Sequence, residues 1–193
     1  MSNGTMIVKR DGTKEHLNID KIHKVVEHAC LDLAGVSSSQ IEMNANIQFY
    51  DGMSTNEIQE VLVRSANDLI SLDTPNYQFA AARLLSYSVN KQVFGEYNAI
   101  TFQENINRNI ERKVYDPEIL EKYTAEEIAT LDSYIRHKRD ENFTYAGLRQ
   151  VVDKYLVQDR STGEIFETPQ FMYMMIAATL FANYPAETRM HYV

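Results

Sequence analysis

The sequence has few cysteines and no surplus of basic residues. Cys30 is the only cysteine, which excludes an intramolecular disulfide framework and a multi-cysteine zinc site and is typical of a reducing compartment. The 19 lysines and arginines are outnumbered by 27 acidic residues, giving a formal net charge of −8. A non-specific nucleic-acid binder needs a basic face to displace counterions. We therefore expect a cytoplasmic protein without a nucleic-acid partner.

The sequence also has no long hydrophobic run and no leader-like start. Its longest apolar stretch, residues 171–180, contains Thr179 and is far shorter than a membrane span. The first residues show neither the basic nor the apolar part of a signal peptide. We therefore expect no membrane association. The hydrophobic content of 44% is enough for the core of one large domain or two small ones.

Sequence signatures of catalysis and metal binding are weak. There is no glycine-rich phosphate loop, and Ser88 and Lys91 match a serine-acylase pattern without its companion motif. His23 and Glu27 lie one helical turn apart but lack further ligands at matched spacing. Cys30 falls beside the apolar stripe of a predicted helix and is interpreted as a small buried residue. The sequence predicts no catalytic residue and no metal ligand.

A β-hairpin followed directly by a helix is predicted at the N-terminus. Asp11-Gly12 separates two apolar-bearing runs, as in type I′ hairpins, where both central residues take positive φ. Asn18 or Asp20 then begins the helix. Four cations surround this helix start: Lys9, Arg10, Lys14 and Lys21. Because a helix N-terminus itself favours an anion, the pattern predicts a phosphate site, and an exposed turn with solvated charges is the alternative.

Capping residues and helical periodicity predict three more helices in this first part of the chain. The four helices are expected from residue 18 or 20 to Ala34-Gly35, from Ser37–Ser39 through Ile47, from Ser54 or Thr55 through Leu69, and from Pro75 to Lys91. A junction follows at residues 95–98.

Short helices dominate the rest of the chain. They are predicted over residues 102–110, 117–123, 124–135 and 145–155, the third with a capping box at Thr124. Leu156-Val157 and Ile165-Phe166 flank a turn and predict a small second hairpin, and Thr168-Pro169 begins a helix that is apolar on almost every face. The charge run 136–141 is interpreted as a solvated face.

Motifs spread over the whole chain resemble the N-terminal part of the large subunit of class I ribonucleotide reductase. Those like its ATP-cone are Val8-Lys9-Arg10-Asp11-Gly12, Asn18-x-Asp20-Lys21-Ile22, residues 55–60, residues 77–83 and Lys91-x-x-Phe94-Gly95. Those like the helical segment before its catalytic barrel are Tyr115-Asp116, Phe143-Thr144-Tyr145, residues 154–157 and residues 162–171. The resemblance implies a mainly α protein, with an ATP-cone of a β-hairpin plus a four-helix unit over residues 1–95. A helical segment with a small β-hairpin, incomplete alone, is expected over 96–193.

The resemblance also implies that the cone binds ATP or dATP as an allosteric effector, with Mg²⁺ on the phosphates. Lys9, Arg10, Lys21, Thr55 and Lys91 would bind the phosphates, and Glu15 and Asn18 the adenine. The full set of candidate nucleotide-binding residues adds their neighbours His16, Leu17, Ile19 and Asp20, and also Gln59. Family members commonly have Asp-Ile-His where this chain has Glu57-Ile58-Gln59. Because the imidazole is replaced, inhibition by dATP is left open.

The family reduces ribonucleoside diphosphates with cysteines that this chain does not contain. The resemblance therefore implies a split or truncated large subunit that is inactive alone. Its expected partners are the C-terminal remainder of the large subunit and the radical-generating small subunit, in an oligomer. The alternatives are a freestanding ATP-cone regulator, and a degenerate cone that serves as a structural interaction surface.

Overall fold

The computed structural model describes residues 5–9, 11–95 and 98–193. Its strands are β1 (Met6–Val8), β2 (Lys14–His16) and β3 (Met53–Ser54). Its first helices are α1 (Ile19–Cys30), α2 (Ser38–Asn46), α3 (Thr55–Asn67), α4 (Tyr77–Phe94) and α5 (Phe102–Glu111). They are followed by α6 (Glu118–Lys122), α7 (Ala125–Tyr134), a 3-10 helix (His137–Asn142), α8 (Tyr145–Lys154), α9 (Pro169–Phe181) and α10 (Ala186–Tyr192). The predicted mainly α fold class is confirmed.

The chain divides into two units of dense internal packing. The first contains the described residues up to Ser88 together with Glu141–Gln150, and the second contains Val89–Asp140 and Val151–Val193. Helix α4 thus contributes to both. The domain boundary expected after residue 95 stays a prediction. Within the described ranges, none of the helices has the length and apolar character needed to cross a membrane.

The first unit contains a three-stranded sheet with the order β2-β1-β3. The predicted hairpin is confirmed, with Ile7 opposite Glu15. Its turn differs from the predicted type I′, because among the turn's described residues only Gly12 takes a positive φ, of 82°. Asp11 instead accepts hydrogen bonds from the Thr13 N–H and hydroxyl, at 2.9 and 2.6 Å. This Asx-type arrangement holds a longer loop than the two-residue turn expected from Asp-Gly.

Helix α1 begins as predicted but ends earlier. Asn18 is its N-cap and accepts a hydrogen bond from the Lys21 N–H. The helix ends at Cys30 and not at Ala34-Gly35, so that prediction is wrong. Arg83 of α4 provides the physical reason, since its Nη1 donates to the carbonyl oxygens of Leu31 at 2.6 Å and Ala29 at 3.3 Å. A charged donor from another helix satisfies the terminal carbonyls in place of a further helical turn.

The core of the first unit is made by the inner faces of its helices. Ile41, Leu62 and Leu84 are fully buried there, on α2, α3 and α4 respectively. Helix α2 was predicted to run through Ile47 and ends one residue earlier, at Asn46. Ile47 is the C-cap and is 85% exposed.

The second unit is centred on Phe171 at the start of α9. Its ring is fully buried and lies edge-on to Phe94 and against Phe102, with centroid distances of 6.1 and 5.7 Å. Thr168 caps this helix and Pro169 occupies its first turn, as predicted. The predicted second hairpin is reduced to a single antiparallel bridge between Gln158 and Ile165.

The charge run at residues 136–141 is exposed at Arg136, Lys138 and Arg139 but turns inward at His137 and Asp140. Asp140 is fully buried, and one of its carboxylate oxygens accepts a hydrogen bond from Gln170 at 2.7 Å. The His137 ring lies edge-on between Phe94 and Phe171, at 5.1 and 4.9 Å between centroids. The prediction is wrong for these two residues, because a 3-10 helix turns them inward.

Candidate functional site

The candidate site begins with an ion pair across the N-terminal hairpin. Lys9 Nζ lies 2.6 Å from Glu15 Oε2, and the two side chains are 41% and 34% exposed. Their hydrogen bond raises the pKa of Lys9 and lowers that of Glu15. Both groups are therefore charged at neutral pH and already neutralise each other. A phosphate that binds Lys9 must compete with Glu15 for the ammonium group.

The start of α1 adds backbone N–H groups and a second cation beside this pair. Asn18 Oδ1 accepts a hydrogen bond from the Lys21 N–H at 3.0 Å. The positive charge of Lys21 contributes, after Lys9, to lowering the pKa of Glu15. Asn18 is thus engaged through its oxygen. An adenine amino group would have to compete with the Lys21 N–H for that oxygen. The side-chain NH₂ group of Asn18 can only donate a hydrogen bond, so it cannot accept one from the amino group.

Strand pairing brings the start of α3 to the turn end of the hairpin, where Lys9 lies. Val8 of β1 lies opposite Ser54 of β3 in the parallel ladder, and Lys9 and Thr55 directly follow these two residues. The register therefore joins the Lys9 segment to the first turn of α3. This pairing was not predicted from the sequence, because a two-residue strand shows no alternation of apolar and polar residues.

A capping box closes the first turn of α3. Ser54 Oγ accepts from the Glu57 N–H at 3.2 Å, and Glu57 Oε2 accepts from the Ser54 N–H at 2.8 Å. Tyr50 donates its hydroxyl hydrogen to Glu57 at 2.8 Å. Hydrogen bonds from Ser54, then from Tyr50, lower the pKa of Glu57. The first turn of α3 therefore already carries the negative charge of Glu57. Thr55 offers its hydroxyl and an N–H group beside this charge.

Gln59 lies one helical turn beyond Thr55 with an unused acceptor. Its Oε1 atom is buried and has no hydrogen-bond partner among the residues that the structure describes. An orphaned buried acceptor costs free energy until a donor reaches it. The amide oxygen can accept a hydrogen bond from a hydroxyl or amino group. The neutral amide of Gln59 cannot become a cation, as an imidazole at this position could.

Two of the predicted site residues are not among the groups described above. Arg10 lies outside the described residues. Lys91 is exposed in the last turn of α4 and belongs to the second unit. The remaining candidates lie on the hairpin and the start of α1, in the order His16, Leu17, Ile19 and Asp20. The Leu17 N–H donates to the Thr5 carbonyl at 2.8 Å and ties this segment to the first strand.

Two residues near the site were missed from the sequence. Asp51 Oδ1 accepts a hydrogen bond from the Met6 N–H at 2.7 Å, and the Gly52 N–H donates to the Met6 carbonyl at 2.7 Å. These bonds hold the loop before β3 against the first strand. The Asp51-Gly52 turn signal was visible in the sequence, but a local signal does not say which strand the turn will contact.

The groups at the candidate site are of the kinds that can bind an anion. The site offers the ammonium groups of Lys9 and Lys21, a threonine hydroxyl and two helix starts. In the described part of the chain, no three His, Cys, Asp or Glu side chains are grouped as metal ligands. His23, considered above as half a metal site, instead contacts Glu42 at 2.8 Å and Glu27 at 3.1 Å.

Comparison with known proteins gives two family matches. Residues 5–92 match the ATP cone domain, and residues 141–193 match the ribonucleotide reductase all-alpha domain. The chain therefore belongs to the ribonucleotide reductases that have an N-terminal ATP cone. Within this family it represents an N-terminal part of the class I large, or alpha, subunit, as its relatives show.

Three of these relatives come from two bacteria and a phage. The chain is 45% identical to ribonucleoside-diphosphate reductase 1 subunit alpha of Escherichia coli K12 over all 193 residues, which are 25% of that subunit. It is 44% identical to subunit alpha of Haemophilus influenzae over 193 residues, 26% of the relative. It is 40% identical to subunit alpha of Enterobacteria phage T4 over 97% of this chain and 25% of the relative. The chain thus spans about a quarter of the length of these relatives.

Proposed function

We propose that this chain is the nucleotide-binding N-terminal part of a ribonucleoside-diphosphate reductase large subunit. It contributes to the reduction of ribonucleoside diphosphates together with a polypeptide that holds the catalytic cysteines and with a radical-generating small subunit. Residues 1–95 are the ATP-cone domain and residues 96–193 the helical segment in this proposal. The family matches and relatives support it.

The nucleotide is ATP or dATP, with Mg²⁺ on its phosphates. The observation that carries this assignment is the register of β1 and β3, which joins Lys9 to the start of α3 beside Lys21 and the start of α1. Lys9, Arg10, Lys21, Thr55 and Lys91 bind the phosphates, and Glu15 and Asn18 face the base. Gln59 offers its orphaned oxygen to a hydroxyl or amino group of the nucleotide.

Titration calorimetry of ATP and dATP against the full chain tests this site. The Lys9→Ala variant should bind either nucleotide about tenfold more weakly, because one charge-assisted phosphate contact is lost while Glu15 loses its cation. Lys138→Ala, an exposed lysine of the second unit, is the matched control and should bind like the parent. Unchanged affinity of the Lys9 variant would move the phosphates elsewhere.

A degenerate cone that serves only as an interaction surface is the second candidate. The Lys9–Glu15 ion pair and the neutral Gln59 favour it, since both reduce the positive charge available to a phosphate. The same titration separates the two candidates, because absence of heat at millimolar ATP and dATP would leave only the structural role. Deoxyribonucleotide formation, measured with and without this chain added to the other subunits, tests its contribution to the reaction.

A further inference from the structure

Helix α9 presents an apolar stripe that the described chain leaves uncovered. Tyr173, Ile176 and Leu180 follow one another at helical spacing and are 47%, 49% and 69% exposed. The opposite side of the helix, with Phe171 and Ala178, is fully buried in the second unit. The helix is held in place by the Tyr123 hydroxyl, which donates to the Ala178 carbonyl at 2.8 Å. The exposed stripe is therefore a fixed surface.

A cavity of about 470 Å³ lies beside this stripe, within the second unit. Its walls include Ile119, Met172, Met175 and Ile176, and the Glu167 carboxylate lines it from a side chain only 2% exposed. Both Glu167 oxygens are engaged, one by the Val157 N–H at 2.9 Å and the other by the Tyr115 hydroxyl. Because the buried Glu167 carboxylate is already satisfied and the remaining walls named here are apolar, an apolar side chain is the occupant that this part of the cavity suits best.

The rim of the cavity has an acidic surplus. Asp116, Glu118 and Lys122 lie there. Lys122 contacts Glu118 at 3.6 Å and donates to Asn183 at 2.9 Å. Asp116 Oδ1 accepts from the Glu118 N–H at 2.9 Å but has no basic side chain within salt-bridge distance among the described residues. A basic side chain next to an apolar one would complement this rim.

We propose that the α9 stripe and this cavity together form the docking surface for the polypeptide that corresponds to the remaining three quarters of the alpha-subunit relatives. This proposal rests on the proposed function, and the length of the relatives supports the choice of occupant, because this chain matches only about a quarter of each of them. The occupying segment inserts an apolar side chain into the cavity and places a basic one at the Asp116 rim. A second copy of this chain is the competing occupant.

A matched pair of leucine-to-lysine variants tests this surface. The full chain is co-expressed with an affinity-tagged polypeptide from the same source that matches the remaining three quarters, and the affinity of the purified pair is measured by calorimetry. Leu180→Lys should weaken the complex at least tenfold, because it places a charge in an apolar contact. Leu72→Lys changes a residue that is 100% exposed in the first unit and should leave the affinity unchanged.

Several results would overturn the proposal. They are equal affinity of the two variants, absence of a complex with the parent chain, and self-association of the parent that Leu180→Lys abolishes. Parent-like circular dichroism of both variants shows that the fold is intact. Nucleotide titration of the same variants separates this proposal from the cone assignment. If Leu180→Lys weakens docking and binds ATP like the parent, both the docking surface and the nucleotide site are supported. If Leu180→Lys weakens docking but neither it nor the parent binds ATP, only the docking surface is supported.

Discussion

An ion pair of the first unit and two carboxylates of the second lie in opposite environments. In the first unit, Lys9 and Glu15 meet at the surface and remain more than a third exposed. In the second, Glu167 and Asp140 are almost completely buried. Exposed pairs add little to stability but remain available to a ligand, whereas a buried carboxylate must be satisfied internally and fixes the segments around it. An exposed pair such as Lys9 and Glu15 can exchange one partner for a ligand, whereas the buried carboxylates hold irregular segments in position.

The buried carboxylate of Glu167 is an example of a group that holds the segments around it in position. It accepts from the Val157 N–H and from the Tyr115 hydroxyl, and so joins the loop before the Gln158–Ile165 bridge to the segment after α5. Burial raises the pKa of Glu167 and, together with the Glu167 charge, that of Tyr115. These bonds add to the two backbone hydrogen bonds across the bridge, from the Phe166 N–H to the Val157 carbonyl at 3.0 Å and from the Asp159 N–H to the Glu164 carbonyl at 2.8 Å.

The largest effect is expected when this network is opened. Tyr115→Phe removes the donor to Glu167 and should lower the free energy of unfolding of the second unit by about 3 kcal/mol, the cost of an unsatisfied buried charge. The Tyr115 hydrogen bond lowers the Glu167 pKa, so its loss raises that pKa further. Since a raised carboxyl pKa favours the folded state at low pH, the destabilisation should be greater at pH 8 than at pH 5.

Amide hydrogen exchange at Val157 and denaturant unfolding measure this effect. Tyr134→Phe is the control, because Tyr134 is 53% exposed and should tolerate the change. Nucleotide affinity of the first unit should be unaffected by Tyr115→Phe. Equal stability of the two tyrosine variants would remove the contrast between the units.

A smaller effect is expected at Asp140, where burial raises the pKa to about 6. The unfolded carboxyl titrates near 3.8, so the stability linked to Asp140 is complete below that pH and is lost as the pH rises through 6. Asp140→Asn removes this loss and retains an oxygen for Gln170. Between pH 5 and pH 8 the parent should therefore lose about 1.5 kcal/mol more of its unfolding free energy than the Asp140→Asn variant does.

Urea unfolding at the two pH values checks this prediction. Asp73→Asn, at an exposed position of the first unit, is the matched control and should keep the pH dependence of the parent. His137 provides an opposing contribution, because burial lowers its pKa and its stabilising effect is lost as the pH falls. Identical pH profiles of the parent and the Asp140 variant would contradict the raised pKa of the Asp140 carboxyl.

The smallest effect is expected at the capping box of α3 in the first unit. Ser54→Ala removes the acceptor for the Glu57 N–H and should lower the free energy of unfolding by about 1 kcal/mol. Ser39→Ala, at an exposed position of α2, should have almost no effect on the melting temperature. Thermal unfolding of the two variants provides the comparison. A loss as large as that of Tyr115→Phe would mean that the surface of the first unit is as tightly coupled as the interior of the second.

The sequence by itself determined the elements whose signals are local. Asn18, Ser54, Thr124 and Thr168 cap the helices that they were expected to begin, and the N-terminal hairpin forms around Gly12. Such signals depend on side chains and backbone groups within a few residues of each other. The family resemblance also followed from the order of short motifs along the chain.

Only the tertiary structure decided which distant groups meet. Pairing of β1 with β3, the end of α1 under Arg83 and the inward turn of Asp140 depend on partners far away in the sequence. For the candidate site, the basic residues could be predicted, but the ion pair that engages Lys9 and the orphaned oxygen of Gln59 could not. A charge pattern gives the sign of a surface, and packing determines which of its charges is already satisfied.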